Sequence, residues 1–385
     1  MTFPPLSTFG PNAGVIVIGA GVIGASIAYH LARSGVHVTI FDELEAPSPP
    51  SASWASAGGV RSQRRDPREW PLTVAAAARW PKLTEELGAE TGFVQGGHLH
   101  AAENETDAAE LRERVERERA AGIAVELITG EELRRVAPSL GPSVLAGAYT
   151  RGDGQADPRA TTRALLRAAA RRGAIYVRSR INAIAVAKDG TIPGIMLGGH
   201  THRYPWTVLA AGAWSVRLAG AIGLELSVKP GAYQMILSTA HSERILQPTI
   251  TATNRMLSLK QLSSDAFLVG GGWAADLDDG AHTCQVNSQN TRANWTVATE
   301  ILPALKKCRI EETWCGLEAD AFDDVPLIGP VERFPGLYLA TGFSRHGFQL
   351  APAVGEAVAD AIASGQTPES LSALSPSRSS QDELT

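Results

Sequence analysis

The chain has little cysteine: Cys284, Cys308 and Cys315 are the only three in 385 residues, an odd number with no C-x-x-C pair. That excludes a disulfide framework and argues against a cysteine-held metal or iron–sulfur centre, so three free thiols and no metal are expected. There is no excess of positive charge. Thirty-five Lys and Arg stand against 40 Asp and Glu, a formal charge of -5, so the electrostatic footprint of a nucleic-acid binder is missing. No apolar run reaches the ~20 residues of a membrane-spanning helix. The best candidate, residues 15–32, is broken by Gly19, Gly21 and Gly24 and carries His30. Residues 1–14 hold no Lys or Arg and include Pro4, Pro5 and Pro11, unlike a secretory leader. The expected location is the cytoplasm.

What is present is a globular balance, 44% hydrophobic and 19% charged, at a length that suits two domains or one interleaved unit. Residues 15–18 are a short β-branched run leading into Gly19-Ala20-Gly21-Val22-Ile23-Gly24, then an apolar segment to Arg33 closed by Gly35. A second strand-like run, 36–41, ends in Asp42, so the opening reads as one βαβ unit with parallel strands. Helices are expected over 103–121, 158–172, 289–302 and 352–363, the last with Pro352 in its first turn, where a missing N–H costs nothing. Strands are expected at 174–177, from 208, and at 337–340. Residues 224–320 have an antiparallel texture, with short β-rich runs between turns. The division this suggests is a discontinuous dinucleotide-binding domain (14–66, 152–222 and 321–366), a substrate-binding domain (67–151 and 223–320) and flexible termini (1–13 and 372–385).

The glycines have distinct tasks. Gly19 permits the tight turn, Gly21 lets the backbone approach a pyrophosphate, and Gly24 packs helix on strand, while Val22 and Ile23 open the helix whose N-terminus faces the phosphates. Asp42, 18 residues after Gly24, stands where a carboxylate accepts hydrogen bonds from the adenosine ribose. A lone G-x-G-x-x-G is weak, but strand, helix, second strand and acid all fall in place. The motif does not separate FAD from NAD, and an NAD-dependent dehydrogenase stays open at this point.

The chain resembles the FAD-dependent amino-acid and amine oxidoreductases that include D-amino acid oxidase, glycine oxidase and sarcosine oxidase. The resemblance spans nearly the whole chain. It is carried by VIVIGAGVIGASIAYHLARSG at 15–35, SAGGVRSQ at 56–63, VLAAGAWS at 208–215, and LYLATGFSRHGF at 337–348 with APAVGEAVADAI at 351–362. The chain is most similar to the branch of the sarcosine oxidase β-subunits, which also holds the β-subunits of bacterial proline, hydroxyproline and opine dehydrogenases. The resemblance implies FAD as cofactor and an α/β fold, in which a Rossmann-like FAD-binding domain is interleaved with an antiparallel-sheet substrate domain of the D-amino acid oxidase type (α+β). It also implies oxidation of the C–N bond of a small amino acid, with hydride passing to flavin N5 and an imine as product. Sarcosine, proline, hydroxyproline, glycine and opines are candidate substrates. The implied assembly is a heteromer in which this chain is the catalytic β-type subunit and an α-subunit carries a second flavin or an iron–sulfur centre, because this chain has no C-x-x-C cluster. The alternatives are a homo-oligomeric D-amino acid or glycine oxidase and a non-catalytic FAD-binding subunit.

Residue by residue, the resemblance implies that Ser56, Ala57, Gly58, Gly59 and Val60 form a turn and helix start around the flavin and pyrophosphate, and that Ala211, Gly212 and Trp214 line the cofactor. Gly342, Phe343, Ser344, Arg345, His346, Gly347 and Phe348 form a turn against the flavin, with His346 near the active site. Arg61 and Arg64 match arginines near flavin and substrate carboxylate, whose fork of donors suits a carboxylate, although Arg65 and Arg68 extend a charge run of a kind that is ordinarily solvated. Tyr233 and Gln234 fall on a strand over the flavin ring, as pocket lining or as packing.

There are departures from the family pattern. Where monomeric sarcosine oxidases carry a carboxylate-binding lysine this chain has Gln349, and Arg345 replaces a glycine, so Arg345 is expected to take over the carboxylate clamp or to read a second acidic group on a larger substrate. The stretch that matches the oxygen-activating lysine of the oxidases, 267–270, is apolar, although Lys260 lies nearby; this points to a dehydrogenase. Cys315 lies about one residue from the cysteine that those enzymes join to FAD, so a thioether is the minor expectation and non-covalent FAD the major one. Residues 151–157 lack the histidine that holds covalent FMN, and Trp314 is expected to be packing.

Overall fold

The structure, a computed structural model, describes residues 2–10, 14–280 and 282–380. It opens with strand β1 (Gly14–Ile18), helix α1 (Val22–Arg33) and strand β2 (His37–Asp42). Along the chain follow α2 (Trp70–Leu87), α3 (Pro158–Ala170), β3 (Ile175–Arg178), β4 (Trp206–Leu209), β5 (Val228–Ala240), β6 (Ile310–Ala321), β7 (Leu337–Thr341) and α4 (Gly347–Ser364). One six-stranded sheet has the order Leu327–Pro330, β7, β4, β1, β2, β3, parallel except for the first strand. Both faces are covered, which is why β1 is a continuous apolar run buried at every position. Val15 and Val17 pack with α1, α2, α3 and α4 on one side. Ile16 and Ile18 pack on the other, against Ile184, Ile192 and Ile195 around a small three-stranded sheet.

The second large sheet has eight strands in the order β6, β5, Ala266–Gly270, Arg255–Gln261, Thr249–Ala252, His98–Ala102, Ala146–Thr150, Glu126–Thr129. Its pairings are antiparallel except between Thr249–Ala252 and His98–Ala102. The fold class that the resemblance implies is the one observed.

In the stretch assigned to the substrate domain, the α2 residues Trp80, Leu83 and Leu87 pack in the core under the six-stranded sheet. Several expectations need correction. Pro352 is not in the first turn. Helix α4 begins five residues earlier, at Gly347, and Pro352 lies inside it. Residues 56–60 are not a helix start: the short helix is Ala52–Ala55, and Gly59–Val60 pairs as a strand with Gly154–Gln155. Nor is the tail frayed from residue 372. Leu374 is fully buried, and Arg378 bonds Asp323 and the Pro326 carbonyl. At the other end Phe3 stacks edge-on against Trp206 at 5.1 Å and donates its N–H to the Gly365 carbonyl. The parts of those expected flexible termini at residues 1, 11–13 and 381–385 lie outside the described residues.

Where α1 crosses α4, an added methyl on Gly355 would sit 2.6 Å from the Ser26 backbone, and Ser26 Oγ donates to the Ala351 carbonyl at 2.7 Å. An alanine elsewhere in a helix gains about 1 kcal/mol over glycine, but overpacking costs about 1–3 kcal/mol, and backbone cannot yield as a side chain does. Gly355→Ala is therefore expected to lower the unfolding free energy, read by denaturant titration; a rise would contradict this account of the crossing.

Candidate active site

The turn after β1 is built from close contacts. Gly19 has φ +100, and a side chain there would meet the Ala210 carbonyl at 2.4 Å; at Gly24 it would meet the Gly19 carbonyl at 1.9 Å. Only glycine fits either place. Val22 donates its N–H to Ser53 Oγ at 2.9 Å, which ties α1 to the segment after β2. Asp42, at the end of β2, accepts from the Ala20 N–H at 2.7 Å through Oδ2 and from the Leu44 N–H at 3.3 Å through Oδ1, and burial raises its pKa. The Glu43 N–H also bonds this carboxylate, which keeps lone-pair capacity for a ribose hydroxyl.

These elements open into a cavity of about 620 Å³. Of the residues expected to hold a dinucleotide, Gly19, Gly21, Val22, Ile23, Asp42, Ser56, Ala211, Gly212, Trp214, Phe343, Arg345, Gly347 and Phe348 line it. Gly24, Ala57, Gly58, Gly59, Val60, Gly342, Ser344 and His346 do not. Gly58 is wedged on the Ala156 carbonyl, and Ser344 is a strap whose hydroxyl accepts from the Ala321 N–H at 2.9 Å. Both α1 and α4 begin at this cavity, and neither N-cap residue caps its helix with a side chain, so backbone N–H groups are left for an anionic ligand. The glycine cradle, the paired helix starts and the acid fit a dinucleotide.

Arg61 and Arg65 form a second group. Arg61 is partly buried and donates to the Gln63 carbonyl at 3.1 Å, with no side-chain hydrogen-bond partner. Arg65 is 7% exposed, and its Nε and Nη1 have no partner. Asp153 faces both from beneath, where it accepts two bonds from Ser62, and burial pushes its carboxyl up to about 6. His346 Nδ1 lies 3.4 Å from the buried Glu69 carboxylate. Burial, then Arg65 and Arg61, hold the imidazole neutral by lowering its pKa well below the usual value. Arg64, expected beside Arg61, is exposed, has φ +58 and faces Glu110 and Glu118. Of the charge run read as solvated, it is Arg65 that turns inward, while Arg68 pairs with Asp66 and Asp323.

A third group lies on β5 and β6. Tyr233 donates to Asp320, and the Arg345 guanidinium sits 5.0 Å over the Tyr233 ring and 3.3 Å from Asp324. Gln349, at the position of the lysine in sarcosine oxidases, is turned away: its amide donates to the Thr73 carbonyl of α2. Cys315 does not line the cavity; it faces Cys284, whose thiol burial pushes up to about 12. Trp314 donates its indole N–H to the Ala55 carbonyl, which is the packing role expected. Lys260 is 3% exposed, pairs in register with Leu268, and is pulled down to about 7 by burial. Ser53, Glu69, Glu318 and Asp320 were not legible as site residues, because their place depends on pairing between distant segments.

The model of the family described as FAD dependent oxidoreductase matches residues 14–361. The chain belongs to that family. FAD is accordingly its cofactor, and it is an oxidoreductase. This family member is 30% identical over 371 residues to glycine oxidase of Geobacillus kaustophilus, covering 94% of this chain and 96% of that protein. It is 31% identical over 386 residues to an opine oxidase subunit of Rhizobium meliloti, with the same shares covered. The crystal structure of L-proline dehydrogenase from P. horikoshii matches with a TM-score of 0.89 at 26% identity, covering 97% of this chain and 99% of that one. Among the described residues no helix is long and apolar enough to cross a membrane.

In this flavoprotein Asp42→Ala is expected to weaken FAD binding by roughly 10- to 100-fold, from the ~1.5–3 kcal/mol of a charged hydrogen bond. Titration of the apoprotein with FAD, followed by quenching of flavin fluorescence, reads it. An unchanged dissociation constant would remove Asp42 from the cofactor site.

Proposed function

We propose that this flavoprotein oxidises the C–N bond of an amino acid, preferably a secondary or N-substituted one, to an imine that water hydrolyses. Bound FAD supplies the hydride acceptor, at flavin N5. The observation that carries the reading is the Arg61–Arg65 pair, one partly buried and one buried guanidinium without a side-chain carboxylate hydrogen-bonded to them, near His346 at the start of α4. Such a fork suits the carboxylate that every amino-acid substrate presents. Names among the relatives agree: glycine, proline and opines are amino acids or their N-substituted derivatives. His346, kept neutral, would orient substrate without adding a charge. Arg345 is half committed to Asp324 and would read the rest of the substrate.

The role of catalytic β-type subunit in a cytoplasmic heteromer rests on the similarity to the Rhizobium meliloti opine oxidase chain, itself named as one subunit of its enzyme. Electrons would then leave for a flavin or iron–sulfur centre of another chain. A second reading, an oxidase using oxygen directly, is favoured by Lys260, which puts an amine one strand from the apolar Leu268. The heteromer reading expects slow oxygen uptake and fast reduction of an artificial acceptor; fast peroxide release would reverse the order of the two.

Anaerobic addition of sarcosine, proline, glycine, D-amino acids and opines is expected to bleach the absorption near ~450 nm with at least one of them. With that substrate, Arg61→Ala is expected to lower kcat/KM by about 10- to 100-fold, mostly through KM, as for loss of one charged hydrogen bond. A flavin that none of these amines bleaches would defeat the reading.

A further inference from the structure

We propose that Glu318 binds the ammonium group of the substrate and takes its proton; the proposal rests on the amino-acid reading above. Glu318 stands on β6 directly opposite Gly231 of β5, and the Asp320 carboxyl and the Tyr233 ring flank the space that a side chain on Gly231 would take. It lines the same cavity as Gly19, Phe343 and Gly347. The strand is fixed on both sides of it. Leu317 donates its N–H to the Pro50 carbonyl at 2.7 Å, Ser344 donates to the Ala319 carbonyl at 3.0 Å, and a methyl on Gly316 would lie 2.2 Å from Ala55 Cβ.

The charges around Glu318 are unbalanced. Asp320, two residues on, shares its face, with Tyr233 hydrogen-bonded to Asp320 and Lys229 farther along β5. The backbone N–H groups of Ala319 and Arg345 bond the Glu318 carboxyl, and Arg345 also faces it with its charge, but the Arg345 guanidinium is engaged elsewhere, 3.3 Å from Asp324, 3.9 Å from Asp320 and over the Tyr233 ring. No Lys, Arg or His nitrogen of the described residues forms an ion pair with Glu318. Burial first, and Asp320 second, push its carboxyl up to about 8. Two carboxyls with one shared guanidinium lack a cation, and an amino-acid substrate arrives with one.

The chemistry needs such an acceptor. An amine bound as ammonium has no lone pair to form the C=N bond, so its proton must leave first. The N–H bond breaks and an O–H bond forms on Glu318. The C–H electron pair then departs as hydride to the bound FAD while the nitrogen lone pair becomes the second C–N bond. After the iminium product leaves, Glu318 returns its proton to water, and charge and electrons balance.

The sign of the pH dependence follows. Glu318 must be ionised in the free enzyme, so kcat/KM for a bleaching amine rises with pH to about 8 and falls where the free ammonium deprotonates. In Glu318→Gln the substrate must arrive already neutral. The rising limb then moves up to the ionisation of the substrate's own ammonium, and activity at pH 7 falls about 10²-fold, the scale of general acid–base catalysis.

The test uses the FAD-loaded protein, stopped-flow reduction between pH 6 and 10 with whichever of sarcosine, proline or glycine bleaches the flavin, and spectral titration with methoxyacetate, an ether without the ammonium. Glu318→Asp, which keeps the carboxylate, should restore the lower limb. Methoxyacetate should bind wild type about tenfold more weakly at pH 10 than at pH 6, because ionised Glu318 offers it no proton, and binding to Glu318→Gln should be flat. A wild-type profile with no limb between pH 7 and 9, or one that Glu318→Gln leaves in place, overturns the proposal while the amine oxidation stands. A wild-type flavin that no amine bleaches overturns both.

Discussion

The site depends on one strand with two allegiances. β6 gives one edge to β5 through a ladder of eleven pairs, which makes it part of the eight-stranded sheet. Its other edge is hydrogen-bonded to the nucleotide half, to Pro50 on one side of Glu318 and to Ser344 on the other. The register of that ladder therefore sets where Tyr233, Glu318 and Asp320 stand relative to the glycine turn, and a slip of β6 by one residue would turn Glu318 and Asp320 to the face opposite Tyr233. Gly231 and Gly316 make the arrangement possible by removing bulk, the first beside the Asp320 carboxyl and the second beneath Ala55.

The electrostatics of the two halves are opposed. The nucleotide half brings Arg61 and Arg65 inward, while β6 brings Glu318 and Asp320. Neutral side chains complete the set: His346 is uncharged because it is buried with arginines around it, and burial keeps the Tyr233 hydroxyl protonated.

What could be read in the sequence was what local chain geometry dictates. The opening βαβ unit, Gly19, Gly24 and Asp42 were legible because their spacing is itself the constraint, and the turn at 342–348 because its motif is contiguous. Arg64 and Arg65 show the limit. Neighbours in a charge run look alike, and only the positive φ at Arg64, stabilised by Glu118 accepting its backbone N–H, decides which of them points inward. Pro352 misled for a related reason: it marks a helix start by its missing N–H, yet packing of Phe348 and Leu350 into the core, with the Trp80 indole N–H on the Gln349 carbonyl, extends the helix upstream of it. Glu318 carried no local signal, since its significance lies in a cross-strand glycine 87 positions away.

The sheet that carries the glycine turn takes its strands from residues 14–18 and from 337–341, with α4 packed across α1. During synthesis, β1 and β4 are made long before β7 covers the exposed edge of β4, so an apolar edge waits unpaired while five strands of the eight-stranded sheet are made between β4 and β7. At about 5–20 residues per second the wait lasts several seconds or more. Nearly all of the contacts that close the cofactor cavity thus join distant parts of the chain, which makes assembly slow in principle and sensitive to crowding by like chains. The cavity takes its lining from both ends of that sheet, so it is complete only at the close of the process, and a ligand that binds it there stabilises the finished fold.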